Sequence, residues 1–175
     1  MNSPSLQLRK GHDVLINAIS LLPDNIKSNL HVLFLGDGKR DFLIDLVEEK
    51  KIGHLFTFLP FQDPSKIYPL IDIKVLPSRK EGFPLVAIEA MLMGCCVIRS
   101  NTEGATEQII NNETGFIFEN ENYSELSNIL LNLIENKELR NRIAKAGQTY
   151  ALKNFTSDVM VNKTLSMYQK VLREN

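Results

Sequence analysis

The chain has 175 residues, 43% of them hydrophobic and 23% charged, with a formal net charge of −1, the size and mix of one soluble globular domain. So even a balance excludes a global basic field for nucleic acid and an acidic tail, and leaves any anion binding to local arrangement. No apolar run approaches the roughly 18 residues needed to span a bilayer, and Met1-Asn2-Ser3-Pro4 does not open a signal peptide, so a cytoplasmic protein is the default.

In chain order, Gly11 to Leu22 places Val14, Leu15, Ala18, Ile19 and Leu22 at helical spacing, and Pro23 ends the helix. His31-Val32-Leu33-Phe34-Leu35 predicts a buried strand, stopped by Gly36-Asp37-Gly38. Residues 39–51 follow as a helix with Phe42, Leu43, Leu46 and Val47 inward. Leu55 to Leu59 is the next strand, and Asp63-Pro64-Ser65 starts a short helix through Leu70. Ile73-Lys74-Val75-Leu76 is a strand ended by Pro77-Ser78. A loop and a helix over about 84–93 follow, closed by Gly94. Cys95 to Ile98 is another strand, Ser100 to Gly104 a loop, Ala105 to Ile110 a helical turn, and residues 111–115 a turn before Phe116-Ile117-Phe118. Residues 123–175 read as two or three amphipathic helices, the last carrying Val159, Val161, Leu165, Tyr168 and Val171.

Short apolar strands alternating with helices make βαβ units and a mostly parallel sheet covered on both faces. The fold class is therefore α/β, one doubly wound Rossmann-like domain over 1–175, in which ligands sit beyond the carboxyl ends of the strands. Cys95 and Cys96 are adjacent and would point to opposite faces of a strand, so they read as small buried thiols. His12, His31 and His54 share no spacing with acids or cysteines, so no metal site is expected.

The loops at the strand ends carry the chemistry. Gly36-Asp37-Gly38 lacks the third glycine of a dinucleotide fingerprint, since Asp41 stands there; a tight turn and a ligand loop both fit. In Arg79-Lys80-Glu81-Gly82-Phe83-Pro84-Leu85-Val86-Ala87-Ile88-Glu89, Pro84 suits a first helical turn. The free amides of Leu85 and Val86 would then offer a phosphate site, backed by the helix dipole, and Gly82 would let a ligand approach the backbone. Glu89 lies among apolar neighbours, a costly setting unless it accepts hydrogen bonds, for instance from a pair of sugar hydroxyls. Exposure on a polar stripe, or pairing with Arg79 or Lys80, fits the spacing equally.

Taken in order, several motifs resemble the nucleotide-sugar-binding half of the retaining GT-B glycosyltransferases of family four. They are Lys10-Gly11-His12-Asp13, Leu33 to Gly38, Phe56 to Leu59, Val75 to Ser78, Glu81-Gly82-Phe83 with Glu89-Ala90-Met91 and Gly94, then Gly104 with Glu107-Gln108-Ile109-Ile110 and Thr114-Gly115. Glu81 and Glu89, with seven residues between them, look like that family's paired-glutamate motif. The resemblance implies that Lys10 binds the donor diphosphate and that Glu81 faces the donor sugar, the two forming the catalytic pair. It further implies that Gly36, Asp37 and Gly38 admit the nucleotide and that the backbone at Phe58 and Leu59 meets the base. Gly82, Phe83, Pro84, Leu85 and Val86 would hold sugar hydroxyl and phosphate, and Glu89 the ribose. The implied reaction retains configuration and uses no resident cofactor or metal. The implied partners are a nucleotide-sugar donor, UDP-sugars above all, and a glycan or lipid-linked acceptor, as in O-antigen or other surface polysaccharide synthesis. Nucleic acid is not among them, and the full-length protein would touch the cytoplasmic face of the inner membrane only peripherally.

Three departures qualify this. Ser5 stands where the family often has an arginine, so charge on Arg9 or Arg79 would have to assist Lys10. Pro84 replaces a frequent glycine. The strand that normally precedes Lys10 is barely present, and the amino-terminal acceptor domain is missing, so these residues are expected to bind donor without turning over acceptor. A non-catalytic nucleotide-sugar-binding module and a nucleotide-sugar epimerase remain the alternatives.

Overall fold

The computed structural model describes residues 8–174. Gly11 adopts a left-handed backbone (φ 63°) and starts α1 (His12–Ser20), its carbonyl accepting the amides of Val14 and Leu15 at 2.9 and 3.3 Å. Val14, Leu15, Ile16, Ala18 and Ile19 of α1 are buried. A one-turn helix α2 (Asp24–Lys27) follows Pro23, an element the apolar spacing gave no hint of. β1 (Val32–Leu35), α3 (Asp41–Glu49) and β2 (Phe56–Leu59) form the first βαβ unit, with Val32 opposite Phe56 and Leu35 opposite Leu59 in parallel register. Val47 faces inward as expected, but Phe42 is 52% exposed, because the apolar stripe of α3 is narrower than the sequence suggests.

Asp63 caps α4 (Pro64–Ile67) through its carboxylate and the Ser65 amide, and a 3-10 turn (Tyr68–Leu70) completes the connection to β3 (Ile73–Leu76). After β3 come α5 (Leu85–Leu92), β4 (Cys96–Ser100), α6 (Ala105–Gln108) and β5 (Phe116–Phe118). These strands are parallel in the order β3-β4-β5. The parallel α/β architecture is the one expected. Among the described residues, however, the strands form two groups, β1-β2 and β3-β4-β5, rather than one ladder.

Helices cover both faces. One hydrophobic cluster joins α1, β1 and β2 to Cys96, Ile98, Phe116 and Phe118, and to Leu126, Leu130 and Leu133 of α7 (Tyr123–Glu135). The other joins Tyr68, Leu76, Val97 and Cys95 to Ala87, Ala90 and Met91 of α5 and to Ala151 of α8 (Lys137–Asn154). The two cysteines thus fall on opposite faces, free and buried. Asn122 and Asn136 cap α7 and α8 through their side-chain oxygens. The last helix, α9 (Ser157–Glu174), leaves Met160, Val161, Leu165, Met167, Tyr168 and Leu172 each more than half exposed, so that face does not pack on this chain's own sheet. Among the described residues no helix is long and apolar enough to cross a membrane.

Candidate functional site

The loop after β3 is seated by glycines on either side. A Cβ at Gly11 would stand 1.8 Å from the Pro77 carbonyl oxygen, and one at Gly104 (φ 70°) 2.5 Å from the Gly82 oxygen. Only residues without a side chain let α1 and the loop after β4 approach so closely. Ser100, at the end of β4, donates from Oγ to the Ser78 carbonyl at 2.5 Å. The loop is therefore a fixed shelf across the carboxyl ends of β3 and β4.

On that shelf Lys10 Nζ lies 2.5 Å from Glu81 Oε1, with side-chain exposures of 43% and 14%. The structure brings together the two residues expected to form the catalytic pair, 71 positions apart. Burial pushes the Glu81 carboxyl up, but the bonds from Lys10 and Ser78 outweigh it and hold it below its ordinary value. Behind them His12 packs its ring on Phe34 with centroids 4.9 Å apart. Burial and the nearby Lys74 ammonium lower its pKa, so it is neutral at pH 7.

Arg79 is committed elsewhere. Its guanidinium grips Asp13 at 2.7 and 2.8 Å, and it also bonds Glu121 and the Leu8 carbonyl. It is thus spent on two carboxylates, leaving little charge to support Lys10, and it pairs with Asp13 rather than Glu89. Arg9, the other cation expected to help, is exposed, and its carbonyl receives the Arg79 amide at 2.8 Å.

Pro84 is not in the first turn of α5. Its ψ of 115° makes it the extended cap, and the helix begins at Leu85. This leaves the amides of Leu85 and Val86 without intrahelical acceptors, as the phosphate-site reading requires. Phe83, Leu85 and Val86 are exposed around that end at 44%, 66% and 39%. Gly82 has open space where a Cβ would go. Glu89 is exposed, which corrects the expectation of a carboxylate in an apolar setting: the apolar neighbours Ala87, Ile88, Ala90 and Met91 turn inward and Glu89 turns to the rim. Tyr68 reaches it there, with Oη 3.5 Å from Glu89 Oε2 and 3.3 Å from the Val86 carbonyl.

At the end of β1, Gly36 and Gly38 take φ values of 141° and 144°, and nothing lies within 4 Å of a Cβ built on Gly36. Asp37 accepts the Phe61 amide at 3.2 Å. Arg40 braces the turn by donating to the Gly36 and Leu59 carbonyls at 2.6 and 2.8 Å. The Leu59 oxygen also takes the Gly36 amide, so it is already bonded twice. Phe58 is half-buried, edge-on to Phe34 at 5.4 Å. Among the described residues no group of three His, Cys, Asp or Glu side chains is placed to hold a metal ion.

Sequence reasoning missed Asp13 as the partner of Arg79, Arg40 as the brace of the glycine turn, and Arg99 altogether. The last had a signal: a cation directly after four strand residues.

A family model described as "Glycosyl transferases group 1" matches residues 2–150, almost the whole of the α/β unit. The chain belongs to this family. Among curated relatives it is 33% identical over 113 residues to the capsular polysaccharide biosynthesis glycosyltransferase CapM of Staphylococcus aureus, covering 65% of this chain and 30% of that protein. Among solved structures it resembles Anabaena Alr3699/HepE in complex with UDP-glucose, with a TM-score of 0.82 and 25% identity, covering 93% of this chain and 46% of that one. It also resembles the C-terminal domain of the group 1 glycosyl transferase LpcC of Francisella tularensis, with a TM-score of 0.76 and 27% identity, covering 85% and 81%. The chain thus spans less than half of the first two proteins and most of the excised domain. The fold is that of the GT-B glycosyltransferases.

Proposed function

We propose that this chain is the donor-binding half of a retaining glycosyltransferase that moves a hexosyl or N-acetylhexosaminyl group from a UDP-sugar to a glycan or lipid-linked acceptor. The setting that fits is cytoplasmic assembly of O-antigen or another surface polysaccharide. The reading is carried by one observation: the Lys10–Glu81 contact of 2.5 Å sits on the shelf that leads into the open amino end of α5.

In this reading the Leu85 and Val86 amides and Lys10 meet the diphosphate, and Gly82 to Pro84 follow the donor sugar. The Gly36 to Gly38 turn admits the nucleoside, Phe58 and Leu59 flank the base, and the rim carboxylate Glu89 accepts the ribose hydroxyls. The bond from the anomeric carbon to the leaving phosphate oxygen breaks while an acceptor hydroxyl attacks from the same face, its proton passing to the departing diphosphate. The protein supplies positioning and stabilisation of the departing diphosphate. No resident metal or cofactor is required. Acceptor binding belongs to the remainder of a longer protein, so these residues alone bind donor without transferring it.

Titration calorimetry with UDP, GDP and a panel of UDP-sugars tests the reading. Selective UDP binding that weakens in Lys10→Ala and Glu89→Ala is the expected result. No nucleotide binding at millimolar concentration would overturn it, and sugar transfer by these residues alone would overturn the assignment of acceptor binding to another part.

A further inference from the structure

Strand β4 carries a charge in a position covered on both faces. Arg99 is 1% exposed and is the largest of the fully buried side chains among the described residues. By strand alternation it follows Cys95 and Val97 on the face covered by α5. Its guanidinium donates to Thr102 Oγ1 at 2.9 Å, to the Glu103 and Gly104 carbonyls at 3.1 and 3.4 Å, and to Gln108 Oε1. All four acceptors are uncharged, and none of the ion pairs found among the described residues includes Arg99. A cation held out of water with no carboxylate in contact is costly, and is kept only where something repays the cost. The carboxylate that acts on it from a distance, Glu81, is already held by Lys10.

Its partners lead to the proposed donor site. Gly104 lies against the Gly82 carbonyl and within 3.5 Å of the Phe83 ring, measured from where a Cβ would stand. Gln108 Nε2 donates to the Pro84 carbonyl at 3.1 Å, so the side chain that receives Arg99 also holds the cap of α5. The guanidinium is thus separated from residues 82–84 by one layer of loop. Of the other cations near the shelf, Lys10 is paired with Glu81, and Arg79 with Asp13 and Glu121, while Lys74 and Arg9 act on Lys10 and Glu81 from further off.

We infer that Arg99 is a positioning residue for the donor diphosphate: it fixes residues 82–84 through Gly104 and Gln108, and its charge, which no carboxylate contacts directly, is balanced further by the phosphates when donor binds. This rests on the donor-site reading above. Charge shielded from water by a loop is weakly screened, so its field reaches the amino end of α5 at a strength a surface cation would not have. Acting from behind the loop, Arg99 replaces part of what Ser5 cannot supply.

Thr102 gives a test that leaves the arginine in place. Thr102→Asp puts a carboxylate beside Nη2 and supplies the counter-charge internally, whereas Thr102→Asn keeps an uncharged acceptor there. UDP binding would be followed by calorimetry, binding of uncharged uridine by saturation-transfer NMR, and folding by thermal melts. The expected result is that Thr102→Asp weakens UDP by about tenfold or more while uridine binding and the melting temperature are kept, and that Thr102→Asn changes neither ligand. Wild-type UDP affinity in Thr102→Asp would overturn the inference, as would parallel loss of UDP and uridine, which marks a purely structural role. Failure of the unmodified chain to bind UDP would instead overturn the donor-site reading, and this inference with it.

Discussion

Arg79 and Asp13 stand 66 positions apart and meet through two parallel contacts of 2.8 and 2.7 Å, with exposures of 26% and 17%. This bidentate pair ties the loop after β3 to the first turn of α1, and so fixes the distance between Lys10 and Glu81.

Breaking that pair should be felt in stability before activity. Asp13→Asn is expected to cost about 1–3 kcal/mol at pH 7, below the figure for a fully buried pair because both partners keep some solvent. Burial raises the Asp13 carboxyl, but the Arg79 bonds outweigh it and lower its pKa in the folded chain. A group lowered by folding stabilises above its unfolded value, near pH 4, and loses that contribution as pH falls through the folded one. Urea unfolding from pH 7 to pH 3 should therefore show the wild-type and Asp13→Asn curves converging in acid.

The site residues should separate by ligand. Lys10→Ala is expected to weaken UDP by about tenfold or more and leave uridine unchanged. Glu89→Ala should weaken UDP, UMP and uridine alike, because the ribose is common to all three. Glu81→Gln frees Lys10 from its carboxylate and should leave UDP binding equal or tighter, while erasing any preference for UDP-sugar over UDP. Calorimetry and ligand-observed NMR read all three; equal losses in every variant would contradict the assignment.

Two glycines on the same shelf should behave in opposite ways. Gly11→Ala meets the Pro77 oxygen at 1.8 Å with φ at 63°, and should destabilise by more than about 2 kcal/mol, from left-handed strain and collision together. Gly82→Ala meets nothing within 4 Å and should stay within about 0.5 kcal/mol of wild type. The latter should nonetheless weaken a UDP-sugar, since a methyl would occupy the space offered to it.

The thiols provide a probe of folding. Burial pushes Cys95 up to about 11 and Cys96 to about 12. At pH 8 both should resist Ellman's reagent in the folded chain and react fully in denaturant, at the same midpoint as the loss of helical circular dichroism.

The order of strands and helices was legible because β1, β2 and β3 are short apolar runs closed by Gly or Pro, and period and punctuation agree there. What escaped did so for physical reasons. Spacing places Glu89 on a helix whose neighbours are apolar, but only packing decides that those neighbours turn inward and leave the carboxylate at the rim. Pro84 has a φ that serves both a first helical turn and an extended cap, and ψ, which the residue does not fix, chose the cap. Arg99 looks like the end of a strand because charge terminates apolar patterns; its four acceptors come from a loop that the strand sequence does not describe. The apolar stripe of α9 fits packing on this sheet and packing on another domain equally, and within this chain it remains exposed.

The five buried residues of α1 have a consequence for the newborn chain. They pack chiefly on α7, more than 100 residues later. Each βαβ unit can close on local contacts as it leaves the ribosome, but α1 has to wait, its apolar face open, until residue 133 has emerged and Leu126, Leu130 and Leu133 arrive to cover it. A translational pause before that point would leave α1 available to chaperones, and release from the ribosome before α7 is made should yield an aggregating product rather than a smaller folded one.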